Sequence, residues 1–114
     1  MHLNMAISND ADFAEVWRRG LGGLGTLDPE ERWRWNHYAY AIFDLQETIY
    51  TQWRRQMLSD GDWAKYQAAL ANYLSSSGMR EYWSETKDSF HPEFQRLVEG
   101  LEPKPLGLTT FPSN

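Results

Sequence analysis

The chain contains no cysteine and only three histidines, His2, His37 and His91. Without cysteine it has no disulfide framework and no thiolate for nucleophilic or redox chemistry. No glutamate stands three positions before any histidine, so the Glu-x-x-His pattern of di-iron helical bundles is missing. We therefore predict no metal, no cofactor and no catalytic residue, and the sequence favours a non-enzymatic function.

The sequence also lacks a long apolar run and an excess of basic residues. No stretch approaches the roughly 18 apolar residues of a membrane-spanning helix, and the amino terminus lacks the basic start and apolar core of a signal peptide. The net charge is −5 and the pI is about 5.1, whereas general nucleic-acid binding needs a basic surface. We expect a cytoplasmic protein with no membrane-spanning segment and no nucleic-acid partner.

Proline is scarce and is concentrated near the end of the chain. Three of the five prolines, Pro103, Pro105 and Pro112, follow residue 101. Because proline lacks a backbone N–H and clashes inside a helix, residues 102–114 are predicted to form a Pro-rich, non-helical tail. At the other end, the first capping residues appear near residue 8. We predict a flexible lead-in over residues 1–8 and a single helical domain over residues 9–101.

Glycine is clustered in one motif. Gly20, Gly22 and Gly25 match the spacing of the dinucleotide-binding fingerprint G-x-G-x-x-G. That fingerprint binds a pyrophosphate only between a strand and a helix. Here a helical pattern precedes the glycines and no strand pattern follows, so we interpret the motif as an interhelical loop.

The dominant feature is a helical pattern over residues 28–58, uninterrupted by glycine or proline after Pro29. Asp28 is a favourable N-cap, Pro29 occupies the first helical position, and Glu31 completes a capping box. At about 1.5 Å per residue the helix would be about 45 Å long. That exceeds the diameter of about 34 Å expected for a globule of this size, so we expect it to protrude, kink or be covered by another chain.

Apolar residues spaced three and four positions apart predict further helices, separated by turns rich in glycine, serine and aspartate. Six tryptophans, six tyrosines and five phenylalanines supply large side chains for a core. The predicted fold class is all-α, an elongated bundle of four to five helices around the long central helix. The predicted helices cover residues 10–19, 28–58, 62–75, 79–87 and 92–101.

The central helix has one broad apolar face that two polar residues interrupt. Gln46 falls near the middle of this face, and Glu47 falls at its edge beside Tyr40 and Tyr50. A buried amide or carboxylate without a partner costs about 1–3 kcal/mol. The apolar positions are Trp35, Tyr38, Ala39, Ile42, Phe43, Leu45, Ile49, Tyr50, Trp53 and Met57.

Two interpretations of these polar residues remain open. In the first, each bonds a neighbouring helix, with Glu47 forming a structural ion pair to an arginine such as Arg18, Arg32 or Arg80. Alternatively, they line a polar site for a small ligand. The candidate ligand-binding residues are Gln46, Glu47, Tyr40 and Tyr50.

Three apolar residues fall outside the main apolar arc, namely Trp33, Tyr40 and Leu58. Exposed residues of this kind, together with the length of the helix, indicate a contact with another chain. We predict an interaction or scaffold module that self-associates, as a homo-oligomer such as a dimer, or binds another protein. The alternative is a small-ligand-binding or regulatory helical domain.

Several short segments, in this order along the chain, resemble a family of small uncharacterised bacterial all-helical proteins. The resemblance covers about residues 13–101 and consists of helix caps, turns and aromatic residues. It implies an all-helical fold and assigns neither an activity nor a catalytic residue. The segments are residues 27–32, 47–50, 61–63 and 77–83, with Phe94 near the end.

Overall fold

The computed structural model describes residues 2–105, with side chains described from residue 12 onwards. Over this range the chain folds into five α-helices with no strand, which confirms the predicted all-α fold. The molecule spans 45 by 36 by 27 Å. The helices are α1 (His2–Gly22), α2 (Pro29–Arg54), α3 (Asp60–Tyr73), α4 (Ser77–Thr86) and α5 (Pro92–Gly100), and two short 3₁₀ turns lie at Leu24–Thr26 and Lys87–Ser89.

The start of the chain is helical where a flexible lead-in was predicted, whereas the described part of the predicted tail is not helical. Helix α1 begins at His2, so residues 2–8 have a helical backbone where we predicted a lead-in; no glycine or proline interrupts the chain before Gly20. Residues 102–105 of the predicted tail are not helical, and the Lys104 N–H donates to the Ala71 carbonyl at 3.0 Å. Residues 106–114 lie outside the described part.

Helix α2 starts as predicted and ends earlier. Asp28 accepts a hydrogen bond from the Glu31 N–H, and the Glu31 side chain accepts one from the Asp28 N–H, which completes the capping box. The helix ends at Arg54 rather than near residue 58, because Gln56 adopts a left-handed conformation with φ of 62°. With 26 residues α2 is about 39 Å long. It fits within the 45 Å long axis, so its length alone does not require a partner.

The end of α2 is a Schellman motif built without glycine. The Met57 N–H donates to the Gln52 carbonyl at 2.8 Å, and the Gln56 N–H donates to the Trp53 carbonyl at 2.9 Å. This pair of bonds is the signature of that motif, in which the left-handed position is usually glycine. Met57 therefore lies beyond the helix and is exposed.

Helix α2 packs against α1, α3 and α4 through a stripe narrower than the predicted apolar face. Tyr38 and Leu45, at one edge of that face, remain exposed. The core is largely aromatic: Trp35 stacks on Trp17 at 4.9 Å between ring centroids, and Phe43 contacts rings of α4. The buried residues of α2 are Trp35, Ala39, Phe43, Gln46, Ile49 and Tyr50.

One glycine of the motif, Gly20, is explained by close packing of helices, whereas a Cβ atom at Gly22 or Gly25 would meet nothing within 4 Å. A Cβ atom at Gly78 of α4 would lie 1.8 Å from the carbonyl oxygen of Gly20, and a Cβ atom at Gly20 would lie 2.1 Å from the indole nitrogen of Trp35. That nitrogen donates to the Trp17 carbonyl at 3.2 Å. Gly20 and Gly22 belong to the last turn of α1, so helix rather than strand precedes the short 3₁₀ turn that follows.

Candidate functional site

Glu47 lies at the half-buried edge of α2 and bonds the start of α5. Its Oε2 atom accepts the N–H of His91 at 2.8 Å. His91 is the N-cap of α5, and its own side chain makes no capping bond. Glu47 therefore joins two helices through a backbone N–H rather than through an ion pair to an arginine.

The three arginines considered as partners of Glu47 bond elsewhere. Arg18 pairs with Glu15 at 2.7 Å, and Arg32 pairs with Glu85 at 2.5 Å. Arg80 donates to the Leu74 carbonyl at 2.8 Å. Arg18 therefore bonds within α1, Arg32 joins α2 to α4, and Arg80 bonds the end of α3.

The better-shielded ion pair of α2 is one that the sequence analysis missed. The Arg19 guanidinium donates to both oxygens of Glu31, at 2.5 and 3.2 Å. These hydrogen bonds from Arg19, followed by the one from the Asp28 N–H, lower the pKa of the Glu31 carboxyl, and the same pairing raises the pKa of Arg19. The pair fixes the end of α1 against the start of α2.

Gln46 is buried among the core residues of α2. The residue is 4% exposed, and its Oε1 atom has no hydrogen-bond partner within the described region. It does not line the groove between the second half of α2 and the start of α5. Of the four candidate ligand-binding residues, the structure brings Glu47 and Tyr50 together in this groove and leaves Gln46 and Tyr40 outside it.

A groove of about 520 Å³ runs between the second half of α2 and the start of α5. Tyr50 and Phe94, which are buried, contribute aromatic rings to it. A second hollow of about 330 Å³ shares Glu47, Thr51 and Arg55 with the groove and extends it along α2. The space is therefore an open cleft with an aromatic floor and charged side chains along its walls.

Charges of both signs line the groove. Glu47 and Glu93 supply carboxylates, while Arg55 and Arg96 supply exposed guanidinium groups. Just outside, Arg54 donates to the Tyr50 hydroxyl at 3.0 Å, and this bond, with the tyrosine and Glu93 nearby, raises the pKa of Arg54. The arrangement can hold a small polar molecule by ionic contacts above the two rings.

A second surface, which we call the α2 stripe, runs along the solvent side of α2 next to this groove. Trp33 is 68% exposed and Tyr40 is 48% exposed. Trp33 stacks on His37 with ring centroids 5.8 Å apart, and Tyr40 contacts Phe90 at the same distance. The members of the α2 stripe are Trp33, His37, Tyr40, Asp44, Glu47 and Thr51.

Leu58, the third residue predicted for an interface, does not belong to this surface. The helix ends before it, and its side chain is half-buried against the core. The sequence placed Leu58 on a helix face because glutamine at position 56 gives no local signal for a left-handed residue.

Two further properties concern the described part of the chain. Its side chains contain no group of three or more histidine, aspartate and glutamate residues placed to hold a metal ion. None of its helices combines the length and the apolar character needed to cross a membrane.

Comparison with known proteins gives no match to a family model, to a curated protein or to a solved structure.

Proposed function

We propose that this chain is a non-enzymatic helical interaction module that self-associates through the α2 stripe. The observation that carries the proposal is the exposure of Trp33 and Tyr40, at 68% and 48%, on one side of the same helix. Large exposed aromatic side chains are enriched at the energetic centres of protein interfaces. Burial of these two side chains against another protein surface would contribute favourable free energy to association.

The size of this surface favours weak association. Removing on the order of 150 Å² of the Trp33 side chain from water is worth about 4 kcal/mol per copy before the costs of association. A strip about 39 Å long and about 10 Å wide offers about 400 Å² per copy, against about 800 Å² in a standard interface. We therefore expect a dimer with a dissociation constant between about 1 μM and 1 mM.

Sedimentation equilibrium from roughly 10 μM to 1 mM protein tests the proposal. We expect the parent chain to shift from monomer to dimer over this range and Trp33→Glu to remain monomeric. Leu45→Glu is the matched control, because Leu45 is also an exposed apolar residue of α2 (57%) but lies on another side of the helix. A parent that stays monomeric throughout overturns self-association. Dimerisation lost in Leu45→Glu and kept in Trp33→Glu overturns the choice of surface.

The groove supports a second candidate, the binding of a small zwitterionic molecule. Glu47, Arg55 and Arg96 provide charges of both signs around a cleft of about 520 Å³. A ligand present at about 100 times its dissociation constant stabilises the folded state by about 2.7 kcal/mol. A thermal-shift panel of free amino acids is the probe, with Arg96→Gln expected to abolish any shift and Arg18→Gln, remote from the groove, expected to retain it. No shift with any member of the panel contradicts this candidate.

A further inference from the structure

The members of the α2 stripe follow one another at steps of four and three residues. Positions 33, 37, 40, 44, 47 and 51 therefore form an almost straight line along the helix, which is the spacing of a helix–helix seam. A second helix laid along this line contacts every member. The interface partner that fits a straight seam on a helix is another helix.

The two halves of the α2 stripe differ in chemistry. The first half carries Trp33, His37 and Tyr40, which offer rings and hydrogen-bond donors, and the second half carries Asp44 and Glu47, which offer acceptors. Two exposed charges at the ends of the helix have the opposite arrangement, acidic at the start and basic at the end. Glu30 lies in the first turn of α2, and Arg55 is its C-cap.

We infer that two copies of the chain pair through the α2 stripe with their α2 helices antiparallel, related by a twofold axis near position 42. This inference rests on the proposed self-association and specifies its geometry. The axis places His37 opposite Glu47 of the second copy, and Tyr40 opposite Asp44 of the second copy. It also brings Glu30 close to Arg55 of the second copy at both ends of the interface.

Charge complementarity selects this orientation. In a parallel pair each position faces itself, so Asp44 would oppose Asp44 and Glu47 would oppose Glu47, and like charges in direct contact repel. In the antiparallel pair a His37 ring N–H donates to the Glu47 carboxylate, and the Tyr40 hydroxyl donates to Asp44. Glu47 binds the His91 N–H through Oε2, so Oε1 is the oxygen that faces the second copy.

The same geometry brings Trp33 to the groove. Trp33 lies opposite Thr51 of the second copy, and Thr51 lines the groove beside Arg55. The indole would rest at the mouth of the groove, where an arginine can stack on it. Each copy then contributes its exposed tryptophan to the cleft of the other, as a twofold interface requires.

Crosslinking tests the orientation cleanly, because the chain has no cysteine of its own. We use Glu30→Cys and Arg55→Cys at two exposed positions, separately and as an equimolar mixture, with a bismaleimide crosslinker about 10 Å long. The antiparallel pair predicts a covalent dimer in the mixture and little in either variant alone. Lys65→Cys, an exposed position on α3, is the control for random collision.

A charge swap provides the second measurement. Glu30→Arg and Arg55→Glu are each expected to weaken the dimer about two- to fivefold, as exposed ion pairs contribute about 1 kcal/mol or less, and the double variant is expected to restore it. Crosslinks that form in the separate variants at least as efficiently as in the mixture overturn the antiparallel orientation, and so does a double variant weaker than both single variants, while self-association stands. A parent that is monomeric by sedimentation overturns the orientation and the proposed function together.

Discussion

Gly78 lies so close to Gly20 that a Cβ atom on it would stand 1.8 Å from the Gly20 carbonyl oxygen. The obstructing atom belongs to the backbone, so it moves only if α1 and α4 separate. This contact holds the two helices at a distance that no larger residue permits, and it fixes where Trp35 packs.

The first prediction follows from that contact. Gly78→Ala is expected to lower the free energy of unfolding by about 3 kcal/mol or more, because overpacking against backbone forces a shift of whole helices. Urea denaturation measures the change. Gly61→Ala is the control: a Cβ atom there meets nothing within 4 Å, and replacing a helical glycine should stabilise the protein by up to about 1 kcal/mol. Equal effects of the two substitutions would contradict the packing argument.

The second prediction concerns Gln46. Its buried Oε1 atom has no partner in the described region, and an unsatisfied acceptor costs about 1–3 kcal/mol. Gln46→Met keeps the shape and removes the acceptor, so we expect the free energy of unfolding to rise by about 1 kcal/mol. Gln95→Met is the control, since the Gln95 side chain donates to the Phe90 carbonyl at 2.8 Å and its replacement should destabilise. A loss of stability in Gln46→Met would show that the amide has a bonding role.

The third prediction concerns the left-handed residue that ends α2. Gln56 has φ of 62°, a conformation that costs a non-glycine residue about 1 kcal/mol. Gln56→Gly is expected to raise the thermal midpoint, with a gain of up to about 1 kcal/mol. Gln52→Gly, one turn earlier and inside the helix, is expected to lower the midpoint, with a loss of about 1 kcal/mol in the free energy of unfolding. Midpoints that move in the same direction would argue against the Schellman motif.

The fourth prediction is a pH dependence. The pKa of Glu31 is lowered in the folded state, chiefly by the hydrogen bonds from Arg19 and then by the Asp28 N–H. A lowered carboxyl pKa stabilises the fold above the unfolded value of about 4.3, and the contribution disappears as the pH falls through the folded value. Glu31→Gln should therefore be less stable than the parent at pH 7, and the difference should vanish in acid.

Urea midpoints of both proteins between about pH 7 and pH 2 give this comparison. Glu30→Gln, on the adjacent exposed residue, controls for the loss of one charge at the start of α2. A difference between parent and Glu31→Gln that stays constant across the acid range would contradict the ionic origin of the effect.

Local signals predicted the starts of α2 and α5 but not that of α1, which begins at His2 rather than near residue 10. The capping box of Asp28 and Glu31 and the proline at position 92 mark the starts of α2 and α5 directly. The end of α2 was placed too late, since glutamine at position 56 carries no preference for the left-handed region. Periodicity identified the apolar side of α2 but not which part a neighbour covers, so the exposure of Leu45 and Tyr38 was not foreseen.

Only the part of the candidate site that lies on α2 was predicted from the sequence. Glu47 and Tyr50 were two of the four candidate ligand-binding residues on α2, and both line the groove. The other side of the groove, with His91 and Arg96, comes from the start of α5, 40 or more positions along the chain. Nothing in the spacing of α2 residues encodes where α5 docks.

The exposure of Trp33 gives the protein a built-in optical reporter. All six tryptophans lie among the described side chains, and Trp33 alone of the six is exposed. A collisional quencher such as iodide should therefore act first on Trp33, and a Trp33→Phe variant isolates its emission by difference. Contact at the α2 stripe, whether with a second copy or with another protein, would be visible as a blue shift and protection of this single indole without attaching any dye.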